Sequence, residues 1–554
     1  MLYNEPLWLV QFTTDKSTAQ LENLNHVVRQ HIRIEIPGPP LAKNDRKWGS
    51  AVMNRRRFVG TLGASIITSL GARAIVAKAA GSAAPSQMHN GLPGKYRPDW
   101  ASLKQHAVPK WYEDAKLGIF IHYGLYSVPA WAPTAKLTDR GEIDWGKFKP
   151  DLSDWFANDP YAEWYMNTMR IKDSPTWKHH VKTYGENFGY LDFVPIFNQQ
   201  VKKWDPDEWA ELFKDIGARY IVPTTRHHDG FRLWPSKILN PHRKLDQQGV
   251  QRDVIGELAA AVRKQGIHMG IYFSGGLDWS FTEKPILDRQ ILDNDVPQSV
   301  EYGEYAFALL EELMHRYEPD DIWNDIAYPT NAHLTQFLAD YYNLVPEAAI
   351  DDRFHEVGKP PEQADYTSPE GVWPKKILEK KWESCHAIGT SFGYNQNEGP
   401  EDMLSPSKLV TMFVDIVSKN GNLLLDIGPK ADGSISELQL SRVHELGKWL
   451  RINGDAIYET RPWVRSEGKT NDGVSIRFTQ KGDSLYAILM DKPKTRDVVV
   501  ESMRLKEGSQ VQVLGAGEHL SWTPSGENVR ITLPAELPGN YAYALRISPQ
   551  PYSS

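Results

Sequence analysis

The stretch RYIVPTTRHHDGFRLWPSK, residues 219–237, runs from a short apolar segment, Tyr220-Ile221-Val222, straight into His227-His228-Asp229. Two imidazoles and a carboxylate suit three kinds of chemistry: metal ligation, an acid/base relay, or hydrogen bonding to a polar substrate. If a strand continued to the histidines, their side chains would leave it on opposite faces, because strand side chains alternate. Adjacent residues so placed chelate one ion poorly, so no metal site is expected. Other apolar runs also end in polar residues: His122 after LGIFI, Tyr272 in IYFSGG, Asp325 in IWNDIAYP and Arg353 in IDDRF. No phosphate loop, serine nucleophile elbow or His-Glu-x-x-His helix accompanies them. A carboxylate-rich pocket with aromatic rings and imidazoles remains, which is the equipment for cleaving a glycosidic bond.

The elements that must position these residues repeat along the chain. In DPDEWAELFKDIGARYIV, Asp205 is a helix N-cap and Pro206 the first helical residue. Trp209, Leu212, Phe213 and Ile216 form one apolar face, Gly217 stops the helix, and Tyr220–Val222 is a strand. The pattern returns with Gly266 as the stop, with Pro319 in the turn, and with Ser405-Pro406 opening and Asn420-Gly421 closing. Adding Leu117–His122 and Ala348–Ile350 gives strands alternating with helices, hence a parallel sheet covered by helices. Over that length a (β/α)8-type barrel is expected, in residues 95–461, and no Gly-x-Gly-x-x-Gly signals a dinucleotide. In such a barrel the reactive groups stand at the C-terminal ends of the strands, where the polar residues above fall. Residues 462–554 change to short alternating segments, VSIRFTQKGDSLYAILM, VRITLP and YAYALRI, which read as an antiparallel β-sandwich that packs on the barrel or contacts carbohydrate.

A chain of 554 residues implies more than one domain. Net charge −7 with mixed signs gives no reason to expect nucleic acid. The 19 Trp and 24 Tyr suit the apolar faces of sugars, a large aromatic core being the structural alternative. A single cysteine, Cys385, excludes both a disulfide framework and a cysteine-based zinc site. Near the N-terminus, Arg55-Arg56-Arg57 precede an apolar stretch from Phe58 to Leu70 and a small-x-small site at Ala77-Lys78-Ala79. Residues 53–79 therefore resemble a twin-arginine export signal opening at Met53, and residues 1–52 read as a non-native upstream extension. The mature chain is expected to be periplasmic or secreted, with no membrane anchor.

From about Trp111 onward the chain resembles the glycoside hydrolase family 29 α-L-fucosidases. The matching segments are WYEDAKLGIFIHYGLYSVPAW, EWY, HHDGFRLWPSK, YFSGGLDW, PDDIWNDIAYP, WESCHAIGTSFGYNQNEG and GNLLLDIGPKADG. The resemblance implies a retaining enzyme, with no cofactor, that removes terminal α-L-fucose from fucosylated oligosaccharides or glycoconjugates. It makes Asp325 the nucleophile and places His122, Glu163, Trp164, His227, His228, Tyr272, Arg353 and Phe392 on the sugar, the two adjacent histidines as hydrogen-bond donors to its hydroxyls. In DYTSPE the family pattern makes Glu370 the acid/base, with Glu362 and Asp365 as rivals. Tyr123 stands where the family has Trp and is expected at the sugar-facing wall; Asp426 stands where it has Asn and is expected to perturb its neighbours' titration. A non-catalytic glycan-binding barrel, an enzyme or transglycosidase for an L-galactose-like sugar, and a homo-oligomeric state stay open.

Overall fold

The computed structural model describes residues 92–552, apart from 139–142, 144–146, 283 and 372–373. The expected upstream extension and export signal lie outside the described residues.

Seven strands form one parallel sheet: β1 (Leu117–Ile121), β2 (Tyr220–Arg226), β3 (His268–Phe273), β4 (Asp321–Asn324), β5 (Ala349–Ile350), β6 (Trp382–Ala387) and β7 (Gly421–Ile427). Their order is β5-β4-β3-β2-β1-β7-β6. Helices α1 (Pro206–Asp215), α2 (Val254–Lys264), α3 (Val300–Tyr317), α4 (Leu334–Leu344), α5 (Pro406–Ser418) and α6 (Glu437–Asn453) alternate with them. Helix covers one face and the barrel interior the other, so β1, β3 and β7 read as largely apolar runs. The helix ends are where the local signals put them. Asp205, Asp253 and Ser405 each accept a backbone N–H of the first turn of α1, α2 and α5. Gly217, at φ +89°, makes the left-handed turn from α1 into β2.

The expected eight-stranded barrel is seven strands and an irregular eighth piece. The segment Asp365–Gly371 fills the gap between β5 and β6. Asp365 N–H donates to Ile350 O (3.0 Å), Glu383 N–H to Thr367 O (2.8 Å) and Gly371 N–H to Cys385 O (3.1 Å). Pro369 has no N–H to offer a ladder and Gly371 is left-handed at φ +62°, so the segment closes the barrel without becoming a regular strand. Strand β6 is not apparent in the sequence because WESCHA is half polar. Its Glu383 is buried and accepts the hydroxyls of Tyr112 (2.7 Å) and Tyr220 inside the barrel.

Beyond α6 the chain forms two antiparallel sheets, as expected. One has five strands in the order β12-β15-β10-β9-β8, the other three in the order β11-β14-β13. These are β8 (Arg461–Lys469), β9 (Ser475–Lys481), β10 (Ser484–Leu489), β11 (Asp497–Val500), β12 (Gln510–Val513), β13 (Trp522–Ser525), β14 (Asn528–Thr532) and β15 (Tyr543–Ser548). They share a core that includes Trp463, Phe478, Leu485, Val498 and Ile531. The five-stranded sheet packs on α5 and α6. Arg477 pairs with Asp415, Lys419 with Glu467 (3.0 Å), and Trp449 Nε1–H donates to Ala542 O (2.8 Å). Packing is therefore one role of these sheets.

Candidate active site

The abrupt change at His227-His228 has a structural cause. Strand β2 stops at Arg226, whose buried guanidinium pairs with Asp278 and donates to Ser274 O. The chain then turns, with Gly230 N–H donating to His227 O (3.0 Å) and Gly230 at φ +74°. Because the strand has already ended, alternation no longer applies. Both rings face the same pocket with centroids 4.0 Å apart, contrary to the expectation of opposite faces.

That pocket opens at the C-terminal ends of the strands. It is lined by His122, Glu163, Trp164, His227, His228, Tyr272, Asp325, Glu370 and Phe392, so nine of the residues singled out in the sequence come together. Arg353, the tenth, sits behind two of them. Phe120, Trp323, Ile326 and Cys385 also line it and were not singled out. A signal for two of them is visible in hindsight: Phe120 and Trp323 lie two residues before His122 and Asp325, the spacing that puts strand side chains on one face.

Asp325, just past β4, is 8 % exposed and densely held. Its Oδ1 accepts from Arg353 Nη1 (2.7 Å) and from the Ile326 backbone N–H (2.8 Å); its Oδ2 accepts from the Tyr272 hydroxyl (2.7 Å). Ile326 adopts φ +68°, which is strained for a β-branched residue and aims its N–H at the carboxylate. The backbone of Gly276 approaches so closely that a Cβ there would meet Ala327 N at 2.7 Å. Burial alone would raise the Asp325 carboxyl, but the Arg353 charge and the Tyr272 hydrogen bond hold it below the usual carboxylate range. It is ionised at neutral pH.

Glu370 comes from the irregular piece that closes the barrel. Its Oε1 lies 2.7 Å from Arg353 Nη2, so one guanidinium, lying over the Trp323 ring (4.2 Å) and fixed by Ser368 O (2.9 Å), spans both carboxyl groups. The two rivals are elsewhere. Glu362 pairs with Lys104 (2.6 Å) where both side chains are half exposed. Asp365 is buried beside β5 and accepts from Ile350 N–H (2.9 Å) and the Tyr342 hydroxyl (3.1 Å), with His106 Nδ1 at 2.8 Å.

The imidazoles are neutral. Burial pushes His122 and His227 well below their ordinary value and His228 down to about 3. The His228 tautomer follows from its neighbours. The Ser274 hydroxyl donates to Leu277 O (2.7 Å), so at His228 Nδ1 (2.6 Å) it must accept, and Nδ1 carries the hydrogen. Nε2, 3.5 Å from Asp325 Oδ2, therefore presents a lone pair. His228 is a hydrogen-bond acceptor toward the pocket, not the expected donor. Burial also pushes Glu163 up to about 8, with its Oε2 accepting from Gly393 N–H (2.8 Å).

His227, His228 and Asp325 place donor atoms within 4.8 Å of one another, close enough to surround an ion. The alternation argument against a metal thus fails, and a different one replaces it. Three donors already occupy the Asp325 oxygens, and one of them is the Arg353 cation, which would repel a second cation placed beside it. Of the two departures, Tyr123 does not line the pocket: its ring packs against Phe197 and Trp209 and its hydroxyl donates to Ala431 O (2.8 Å). Asp426 does touch the site, with Oδ1 2.7 Å from His122 Nδ1.

Comparison with known proteins identifies the family. The "Alpha-L-fucosidase" family model matches residues 83–455, and the "Alpha-L-fucosidase C-terminal domain" model matches residues 470–548. Bovine tissue alpha-L-fucosidase is 33% identical over 470 residues, covering 82% of this chain and 92% of that protein. The Thermotoga maritima alpha-fucosidase in complex with a mechanism-based inhibitor superposes with a TM-score of 0.73 at 45% identity, covering 82% of this chain and 99% of that one. The fucose complex of the T. maritima enzyme gives 0.72 at 45% identity, covering 82% and 100%. A family model spanning most of the chain, and relatives at this identity over this length, place it in the α-L-fucosidase family of glycoside hydrolases.

Proposed function

We propose that the chain hydrolyses terminal α-L-fucose from fucosylated oligosaccharides or glycoconjugates with retention, using Asp325 as nucleophile and Glu370 as acid/base. The observation that carries the assignment is the single guanidinium of Arg353 spanning both carboxyl groups inside one aromatic pocket. Such a bridge is compatible with the separation of about 5–5.5 Å that a retaining mechanism needs. In the first step Asp325 attacks the anomeric carbon. The glycosidic bond breaks, and Glu370 gives its proton to the departing oxygen. In the second step Glu370 takes a proton from water, the hydroxide attacks the same carbon, and the ester to Asp325 breaks to free fucose. Asp325 Oδ1 is anchored by two donors, which leaves Oδ2, beside His228, as the attacking oxygen. His122, Glu163, Trp164, His227, His228, Tyr272 and Phe392 hold the sugar.

Kinetics on paired variants tests the roles. Asp325→Gly is expected to lose at least about three orders of magnitude in kcat, with partial recovery when azide supplies the nucleophile. Glu370→Gln is expected to damage substrates with poor leaving groups far more than activated aryl fucosides, which need no protonation. Equal, near-wild-type rates on both substrates would move the acid/base away from Glu370. We further propose export through the twin-arginine segment at Arg55–Arg57, supported by the apolar stretch and small-x-small site that follow it.

A further inference from the structure

Behind His122 lies a group of carboxyls that the two chemical steps do not use. Asp426 sits on β7, paired with Phe120 of β1 on one side and Ala387 of β6 on the other. It is 2 % exposed, and its Oδ1 lies 2.7 Å from His122 Nδ1. Two further buried carboxyls act on it, Glu163 from the turn Ala162–Trp164 and Glu398 from the loop after β6, and so does a hydrogen bond from the His122 backbone, which favours its ionised form. Its own charge would reach the Tyr126 phenol and the Cys385 thiol. His122 in turn faces His227 and Asp325. Among the described residues no lysine or arginine pairs with Asp426. Burial pushes Asp426 well above the carboxylate range, Glu163 to about 8 and Glu398 to about 7, while it pushes His122 down. A carboxyl that keeps its proton beside a neutral imidazole donates to the ring's bare nitrogen.

We propose that Asp426 is a positioning residue that donates its proton to His122 Nδ1 and so fixes His122 as the Nε2–H tautomer, a hydrogen-bond donor to one hydroxyl of bound fucose. The pocket then holds two opposite imidazoles. His228 is fixed by Ser274 as an acceptor at Nε2, and His122 is fixed by Asp426 as a donor at Nε2. A sugar whose hydroxyls must give a hydrogen at one place and receive one at another is held in a single orientation. Loss of the Asp426 proton would turn the bridge round, because His122 Nδ1–H would then donate to the carboxylate and Nε2 would become a second acceptor.

The assignment rests on the fucosidase reading, and the experiment separates the two. In 15N-histidine-labelled wild-type protein, with the His122 signals identified by their loss in His122→Gln, NMR at neutral pH is expected to show hydrogen on Nε2 and none on Nδ1. Asp426→Asn, whose amide can still donate to Nδ1, should keep that tautomer and leave Ki for free fucose within about threefold of wild type. Asp426→Leu should lose the tautomer preference and raise Ki about tenfold, while kcat on an aryl fucoside changes less. Hydrogen on Nδ1 in an active wild-type enzyme would overturn the Asp426 assignment and leave the fucosidase reading standing. An unchanged Ki in Asp426→Leu would do the same. A wild type that neither binds fucose nor cleaves aryl fucosides would overturn the fucosidase reading first.

Discussion

Replacing Arg353 by methionine should separate the charge of the site from its shape. Arg353 is 6 % exposed, donates to Asp325 Oδ1 and Glu370 Oε1 at 2.7 Å each, and lies over the Trp323 ring. Methionine keeps an unbranched stem on that ring and removes the cation between the buried Asp325 carboxyl and the partly buried Glu370 carboxyl. Removing one partner of a buried ion pair costs roughly 3–5 kcal/mol, because the other charge is left uncompensated. A buried carboxylate in that position relieves the cost by taking up a proton. One pKa unit corresponds to about 1.36 kcal/mol, so even about 3 kcal/mol of lost attraction raises the Asp325 carboxyl by about two units.

The sign is fixed by the wild-type state. Asp325 is held below its ordinary value, so the nucleophile is ionised well into the acid range. In Arg353→Met the acid limb of kcat/KM on an aryl fucoside should move up by about two pH units, so the loss grows toward acid pH and is smallest near neutrality, where Asp325 is still ionised. Stability should follow the same group. A depressed carboxyl contributes stability that is present above its unfolded value, about 3.9, and lost as pH falls through its folded value. The Tm gap between wild type and Arg353→Met should therefore be widest near neutrality and close toward acid pH. Arg353→Lys should recover only part of the rate, since an ammonium cannot present two parallel donors as a guanidinium does. An acid limb that stays where it is would refute the argument that the Arg353 cation holds the nucleophile ionised.

Two further outcomes are expected. Prolonged dialysis against a strong chelator should leave aryl-fucosidase activity within about twofold of the untreated enzyme, since the Arg353 cation on Asp325 would repel an ion held by His227, His228 and Asp325; activity that tracks bound zinc stoichiometrically would reverse this. Replacing Arg55, Arg56 and Arg57 together by lysine should leave unprocessed protein in the cytoplasm, with wild-type mature protein starting near Ala80; exported enzyme that still begins at Met1 would contradict it.

What the sequence reveals, and what it hides, divides along the range of the interactions. Helices α1, α2 and α5 are legible because a cap and a stop lie within one turn of each end: Asp205 and Gly217, Asp253 and Gly266, Ser405 and Asn420. Asp325, His122 and Tyr272 are legible because a strand end places them, and strand ends are local. The shared orientation of His227 and His228 is not local. It depends on β2 stopping at Arg226, and Arg226 is pinned by Asp278 and Ser274, some fifty residues further on. Glu370 is the extreme case. Its segment follows a strand of two residues, contains a proline and a left-handed glycine, and precedes a strand half made of polar residues, so no periodicity marks it. Only the family pattern in DYTSPE points to it. The same irregularity explains its suitability as the acid/base. A regular eighth strand would alternate its side chains by the ladder, whereas a closing piece held at Thr367, Pro369 and Gly371 can turn Glu370 toward a guanidinium that already grips the nucleophile. The part of the barrel least like a strand is the part that completes the pair.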